Sequence, residues 1–256
     1  VLRTLNFGKM KNKLKFYEKS HKYKIGNKEL ISVTTFIGSF FESFIEREVA
    51  RKQVGYAKGR NYKKFKKGII IPELDKKKAT QKYWLADWKE RREHGTLVHK
   101  ELENYIKYGR KTKEPKSIQG YKALDYLADE NYMFSRAEEV IFNEELGIAG
   151  TIDLMIGHTN NKGEQLVSLV DWKTCKKVDN IAYNNKKGIK KPLLDVNDTK
   201  INKYTLQLSL YAYMLELRGF EIDKLYIVHL LDDEYRLIPV CYDKELIIKM
   251  LEVKEK

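Results

Sequence analysis

Apolar and polar positions change period twice along this chain. Residues 14–32 alternate with a period of two around a turn signal at Gly26-Asn27, which predicts a β-hairpin. Helical spacing then runs from about Thr34 to Val54, behind Ser32 or Thr34 as a cap. It returns from about Thr80 to Tyr108, ending at Gly109, and again from about Ser117 to Asn131. Beyond that the period falls back to two, and 137–145, 148–157 and 165–174 read as three successive strands. A polar, basic connection follows from Lys176 to Lys203. A helix at 204–218 stops at Gly219, strands follow at 224–231 and 235–241, and a last helix starts at Lys244. Helices precede and follow the strands, so the expectation is an α/β chain: a central mixed sheet flanked by helices, with a helical N-terminal lobe. No repeat or Pro/Gly/Ser linker divides it, and one domain is expected over 1–256, with the lobe at 1–135 and the sheet core at 136–256.

Composition narrows the class of partner. Hydrophobic residues make up 42% of the 256, enough for a real core. The net charge of +14 favours an anionic partner, nucleic acid before an acidic membrane surface. Residues 51–70 hold Arg51, Lys52, Lys58, Arg60, Lys63, Lys64, Lys66 and Lys67 and no acid, with Tyr56, Tyr62 and Phe65 interleaved. Such a stretch lines a path for single-stranded DNA or is a solvated helix face. No apolar run approaches a membrane span, and Val1 to Lys24 lacks the apolar stretch of a secretory signal. Cys175 and Cys241 form no CxxC pair, which excludes a four-cysteine zinc or iron–sulfur site within the chain; reduced thiols in a cytoplasmic protein are the simpler expectation.

The strand pair around Asn160-Asn161-Lys162-Gly163 brings chemistry together. If the hairpin centres near Lys162, positions summing to 324 face each other, and Asp153 and Asp171 satisfy that sum. Lys173, two residues on, points to the same side. Ile152, Leu154, Ile156, Val170 and Trp172 take the opposite faces and can be buried. Facing carboxylates repel, and a divalent cation removes the conflict; Mg²⁺ and Mn²⁺ take such oxygen ligands. A lysine beside the bound water orients it and stabilises developing negative charge. On the long helix, His99 and Glu103 share a face one turn after Gly95, and His99 can offer its imidazole to the same ion. His94 faces elsewhere and reads as structural. Gln207 and Tyr211 share a face of the later helix, able to bind phosphate or to buttress the lysine.

In order, Ser32-Val-Thr-Thr, Gly95-Thr-Leu-Val-His99, Glu138, Gly150-Thr-Ile-Asp153, Asp171-Trp-Lys173 and Gln207-Leu-Ser-Leu-Tyr211 resemble the PD-(D/E)XK nuclease superfamily in its RecB-like exonuclease branch. The likeness covers about residues 31 to 230, and Val170-Asp-Trp-Lys-Thr174 is similar to the mitochondrial genome maintenance exonucleases and their phage relatives. The resemblance implies a restriction-endonuclease-like sheet. It makes Asp153, Asp171 and His99 metal ligands, Lys173 the catalytic lysine and Glu138 an acid near the metal. It assigns Gln207 and Tyr211 to holding DNA and Ser32 and Thr34 to a phosphate contact. Lys63 and Lys64 of the basic stretch join them as DNA-contact candidates. Iron–sulfur relatives use four cysteines, so no cluster is expected.

The expectation is therefore a Mg²⁺- or Mn²⁺-dependent exonuclease on ends of single-stranded or frayed DNA, in recombination, replication or repair. Lys, Asn and Ile richness suits an AT-rich genome such as a phage's, which would place it in the host cytoplasm. Residues 176–203 are a DNA-contacting flap or a surface loop. Alternatives are a non-cleaving nucleic-acid-binding module, a structure-specific endonuclease and, less favoured, a membrane-surface protein.

Overall fold

The computed structural model describes residues 14–17, 22–66, 78, 80–128 and 132–254, and their side chains except those of residues 16, 59–66 and 132–134. Among the described residues the eight strands are β1 Leu14–Tyr17, β2 Lys22–Ile25, β3 Lys28–Ser32, β4 Tyr132–Asn143, β5 Ile148–Thr159, β6 Gln165–Lys173, β7 Glu221–Leu230 and β8 Tyr235–Val240. They form one mixed sheet in the order β1-β2-β3-β5-β6-β7-β8, with β4 also paired to β5. The β3–β5 and β6–β7 pairs are parallel and the rest antiparallel. The helices are α1 Val33–Gly38, α2 Glu46–Lys66, α3 Gln81–Tyr108, α4 Pro115–Leu127, α5 Lys200–Glu216 and α6 Lys244–Lys254. The expected α/β class, a mixed sheet flanked by helices, is what the chain adopts.

Alternation along β6 sorts its side chains between two cores. Val167 and Leu169 pack with Phe36, Phe40, Leu208, Leu210 and Met214 from α1, α5 and the segment between α1 and α2. Val170 and Trp172 pack with Val98, Leu102, Tyr121 and Ala123 from α3 and α4. Leu154 and Ile156 join the second core as expected, whereas Ile152, also buried, joins the first. Asp171 and Lys173 continue the parity of Val167 and Leu169, which puts them on the side that α5 covers.

One edge of β5 changes neighbour along its length. β4 takes one edge from Ile148 to His158. On the other edge β3 pairs at Ile148 and Ala149, while β6 pairs from Leu154 to Thr159. Residues 150–153 lie in the gap between those two ladders. Gly150 and Asp153 therefore sit where the sheet splays, unpaired on that edge.

Two compact units divide the chain, residues 1–42 with 98–256 and residues 43–97. The expected boundary was at 135/136. Parallel pairing of β3 with β5 ties the N-terminal hairpin to the sheet, and α4 packs in its second core. The described residues of unit 43–97 include α2 and the first part of α3. It is held by Trp88 against Phe44 and Trp84, by Arg92 on Glu46, and by the Gln81 amide on the Arg47 carbonyl. His94 falls in this unit.

The single helix expected at 34–54 is instead two. Neighbours in a helix point about 100° apart, yet Phe40 and Phe41 are both 1% exposed in the first core. Stopping α1 at Gly38, with the Ser39 hydroxyl on the Phe36 carbonyl, lets both rings enter. The connection from 174 to 199 is irregular but anchored. Leu193 is fully buried, and the Ile189 N–H donates to the Phe40 carbonyl at 2.8 Å. Thr199, whose hydroxyl accepts the Asn202 N–H, starts α5 four residues before the expected 204.

Candidate metal centre

The β5–β6 hairpin has the expected register. Leu154 faces Val170 and Met155 faces Leu169, each pair summing to 324. The ladder ends one position short of Asp153 and Asp171. There the Asp153 carboxylate takes over from backbone, and its Oδ2 accepts the Trp172 N–H at 2.8 Å. A carboxylate in the splay is thus fixed by the neighbouring strand rather than left to wander.

His99 reaches the same residue's backbone from α3. Its Nε2 lies 3.2 Å from the Trp172 carbonyl oxygen. A carbonyl only accepts, so Nε2 carries the hydrogen and Nδ1 is turned to the carboxylates. Nδ1 lies 3.6 Å from Asp153 Oδ1 and 3.7 Å from Glu138 Oε1. The Trp172 backbone therefore orients two prospective ligands, its N–H donating to Asp153 and its carbonyl accepting from His99. Glu138 arrives from β4 with φ +52, a left-handed conformation that costs a non-glycine residue about 1–3 kcal/mol. Its neighbours Ala137 and Glu139 keep regular pairing with Leu154 and Ile152, so the strain is confined to the residue aimed at the cluster.

One ligand atom each from His99, Glu138 and Asp153 lies within 4.8 Å of the others. Imidazole plus two carboxylates is a donor set for a hard or borderline divalent ion such as Mn²⁺ or Mg²⁺. Glu138 thus stands inside the tight group, closer than a merely adjacent acid. Asp171 borders it and is engaged elsewhere: its Oδ2 lies 2.6 Å from Lys173 Nζ, and its Oδ1 accepts the Gln207 amide at 3.1 Å. Exposure falls inward across the cluster, from 30% for the Glu138 side chain to 3% for that of Asp171. Solvent reaches the cluster from the His99–Glu138 side.

Charges in the cluster are crowded and unbalanced. Burial disfavours a proton on His99, but the Asp153 charge and the Glu138 carboxylate outweigh it and push its pKa up to about 9. Burial raises Asp171 to about 6 against the pull of Lys173, with the Asp153 charge adding to the rise. Asp153 is raised by burial too, opposed by His99 and Lys173. Burial alone would lower Lys173, yet Asp171 and Asp153 hold it above the ordinary lysine value. At neutral pH a proton on His99 Nδ1 occupies the position a cation would neutralise.

Helix α5 covers the other side with one stripe, Tyr204, Gln207 and Tyr211, spaced three and four apart. Gln207 holds Asp171. Tyr211 is 4% exposed and lies so close to Gly150 that a Cβ there would fall 2.6 Å from its ring. Lys173 Nζ stands 4.3 Å from the Tyr204 ring centroid. Gln207 and Tyr211 are both buried, and Gln207 is turned onto Asp171 as the buttressing alternative expects. Ser32 and Thr34 stand at the start of α1. The Ser32 hydroxyl accepts the Thr35 N–H and donates to Thr35 Oγ1 as a helix cap, while Thr34 is exposed. Lys63 and Lys64 fall within α2, and their side chains lie outside the described residues. Sequence reasoning missed Tyr204, which a helical stripe extended one turn back from Gln207 would have found. It also missed the Tyr23 hydroxyl, 3.0 Å from Thr151 Oγ1 beside Glu138, which depends on long-range pairing that no local pattern signals.

No family model matches the chain, and no curated protein matches it. Among solved structures, one described as "Crystal structure of SSO0001" is 16% identical over 66% of this chain and 83% of that chain, with a TM-score of 0.27. Likeness at that level says nothing about what this chain does. No helix among the described residues is long and apolar enough to cross a membrane.

Proposed function

We propose that this chain is a divalent-cation-dependent deoxyribonuclease of the PD-(D/E)XK kind, an exonuclease on single-stranded DNA ends working in recombination, replication or repair. The observation that carries the reading is the meeting of His99, Glu138 and Asp153 within 4.8 Å beside the buried Asp171–Lys173 pair. The donor set fits Mg²⁺ or Mn²⁺, which when bound would supply a water of lowered pKa and positive charge opposite the phosphate.

The chain's own residues do the rest. Lys173 orients the attacking water and donates to a phosphate oxygen as negative charge builds there. Asp171 keeps the ammonium in place and charged, and Gln207 keeps Asp171 in place. Hydrogen bonding of His99 Nε2 to Trp172 reserves Nδ1 for ligation. A pure DNA clamp has no use for a lysine ammonium and three carboxylates held together at this desolvation cost.

The test is incubation with 5′- and 3′-labelled single-stranded DNA and with a closed single-stranded circle, in Mn²⁺, Mg²⁺ or EDTA, beside Lys173→Ala. Metal-dependent loss of the linear strands that Lys173→Ala abolishes supports the reading, and the label released first gives polarity. A cut circle would make it an endonuclease. Intact DNA under every metal condition, with binding retained, would leave a binding module instead.

A further inference from the structure

We propose that Tyr204 is a positioning residue for Lys173, acting through the face of its ring and not through its hydroxyl; the proposal rests on the nuclease reading for what Lys173 then does. Lys173 Nζ lies 4.3 Å from the Tyr204 ring centroid and 2.6 Å from Asp171 Oδ2. The ammonium is gripped from two sides, a carboxylate and a π-face. The hydroxyl is turned away, 3.9 Å from Cys175 Sγ, the thiol that itself donates to the Lys177 carbonyl.

A lysine side chain has four rotatable bonds and a point charge that any nearby acid attracts. Asp171 alone fixes distance but not direction. The ring adds the second constraint, because a cation prefers the electron-rich face and is attracted more strongly where water is excluded. Tyr204 is half-buried, and the Lys173 side chain is 17% exposed. The helix makes the arrangement cooperative. One turn on from Tyr204, Gln207 holds Asp171, so adjacent positions of a single stripe hold the two partners of one ion pair. Tyr204 contacts Lys173 and Cys175 rather than His99, Glu138 or Asp153, so it sets the lysine without setting the ion.

The experiment compares wild type, Tyr204→Phe and Tyr204→Leu in two readouts. The first is the rate of reductive methylation of Lys173 in EDTA, read by peptide mass spectrometry. The second is the single-turnover cleavage rate against pH and Mn²⁺ concentration. Loss of the ring face should speed Lys173 labelling and slow cleavage in Tyr204→Leu by roughly tenfold each, with half-saturating Mn²⁺ unchanged. Tyr204→Phe should retain both wild-type values within about threefold, since the face survives. Tyr204→Met replaces Leu if the leucine variant loses cooperative unfolding. Equal labelling of Lys173 in the wild-type and leucine proteins overturns the proposal. So does a phenylalanine variant that labels like leucine, which would assign the hydroxyl and Cys175 instead. Labelling needs no substrate, so protection of Lys173 in a wild-type protein that leaves DNA intact would sink the nuclease reading and leave the Tyr204 contact standing.

Discussion

His99 carries the sharpest consequence at the scale of single residues. Its folded pKa of about 9 lies above the ordinary 6.5, and that of Asp171, about 6, lies above 3.8. In both cases the folded, metal-free protein holds more protons than the unfolded chain. The stability these groups contribute is therefore full at low pH and is lost as pH rises, between 3.8 and about 6 for Asp171 and between 6.5 and about 9 for His99. A cation at Nδ1 must displace the His99 proton. Mn²⁺ affinity should thus rise with pH up to about 9, approaching tenfold per pH unit. Titration calorimetry at pH 6.5, 7.5 and 8.5, repeated in buffers of different ionisation heat, measures this directly. About one proton should be released per ion at the lower pH values. An affinity flat over that range would mean His99 is not a ligand.

The β5–β6 hairpin supplies Asp153, Asp171 and Lys173 and helix α5 buttresses them, and the two differ in how far the sequence reveals them. The hairpin was legible because a turn signal plus a period of two fixes register: Asn160 Oδ1 accepts the Lys162 and Glu164 N–H groups and pins the turn. Facing positions then follow by counting. Glu138 was placed near the metal only by resemblance, since its left-handed backbone has no sequence signal in a glutamate. The stripe on α5 was half legible. Gln207 and Tyr211 were recognised as one face, but their burial depends on β5 and β6 lying beneath, which periodicity does not state. Failure to foresee the break at 39–45 has the same cause, two adjacent buried phenylalanines whose destination is tertiary. Gly150→Ala tests the contact between the two elements. Its Cβ would sit 2.6 Å from the Tyr211 ring. Overpacking of this kind costs about 1–3 kcal/mol, so thermal unfolding should shift down, and the displaced Tyr211 should weaken Mn²⁺ binding. An unchanged melting temperature would show that Tyr211 swings aside freely.

Across the whole molecule, charge is distributed as unevenly as chemistry. Residues 43–97 contain sixteen basic and seven acidic side chains, a net +9 of the chain's +14, while every proposed ligand lies in the other unit. The division suggests separate work, with the helical unit attracting the phosphate backbone and the sheet holding the reacting atoms. Arg51, Lys52 and Lys58 are exposed on α2. Reversing all three to Glu should weaken single-stranded DNA binding and flatten its dependence on salt by about two units in the log–log slope, leaving Mn²⁺ affinity intact. Fluorescence anisotropy between low and moderate salt would show it, and an unaltered slope would remove α2 from the DNA path.

The most direct measurement is the cleavage rate of end-labelled single-stranded DNA as a function of Mn²⁺ concentration, for wild type and His99→Ala. The account predicts no cleavage in EDTA and a saturable rise with Mn²⁺. It predicts a half-saturating concentration at least about tenfold higher when His99 is removed. Cleavage that survives EDTA, or that follows the same Mn²⁺ curve without His99, would contradict it.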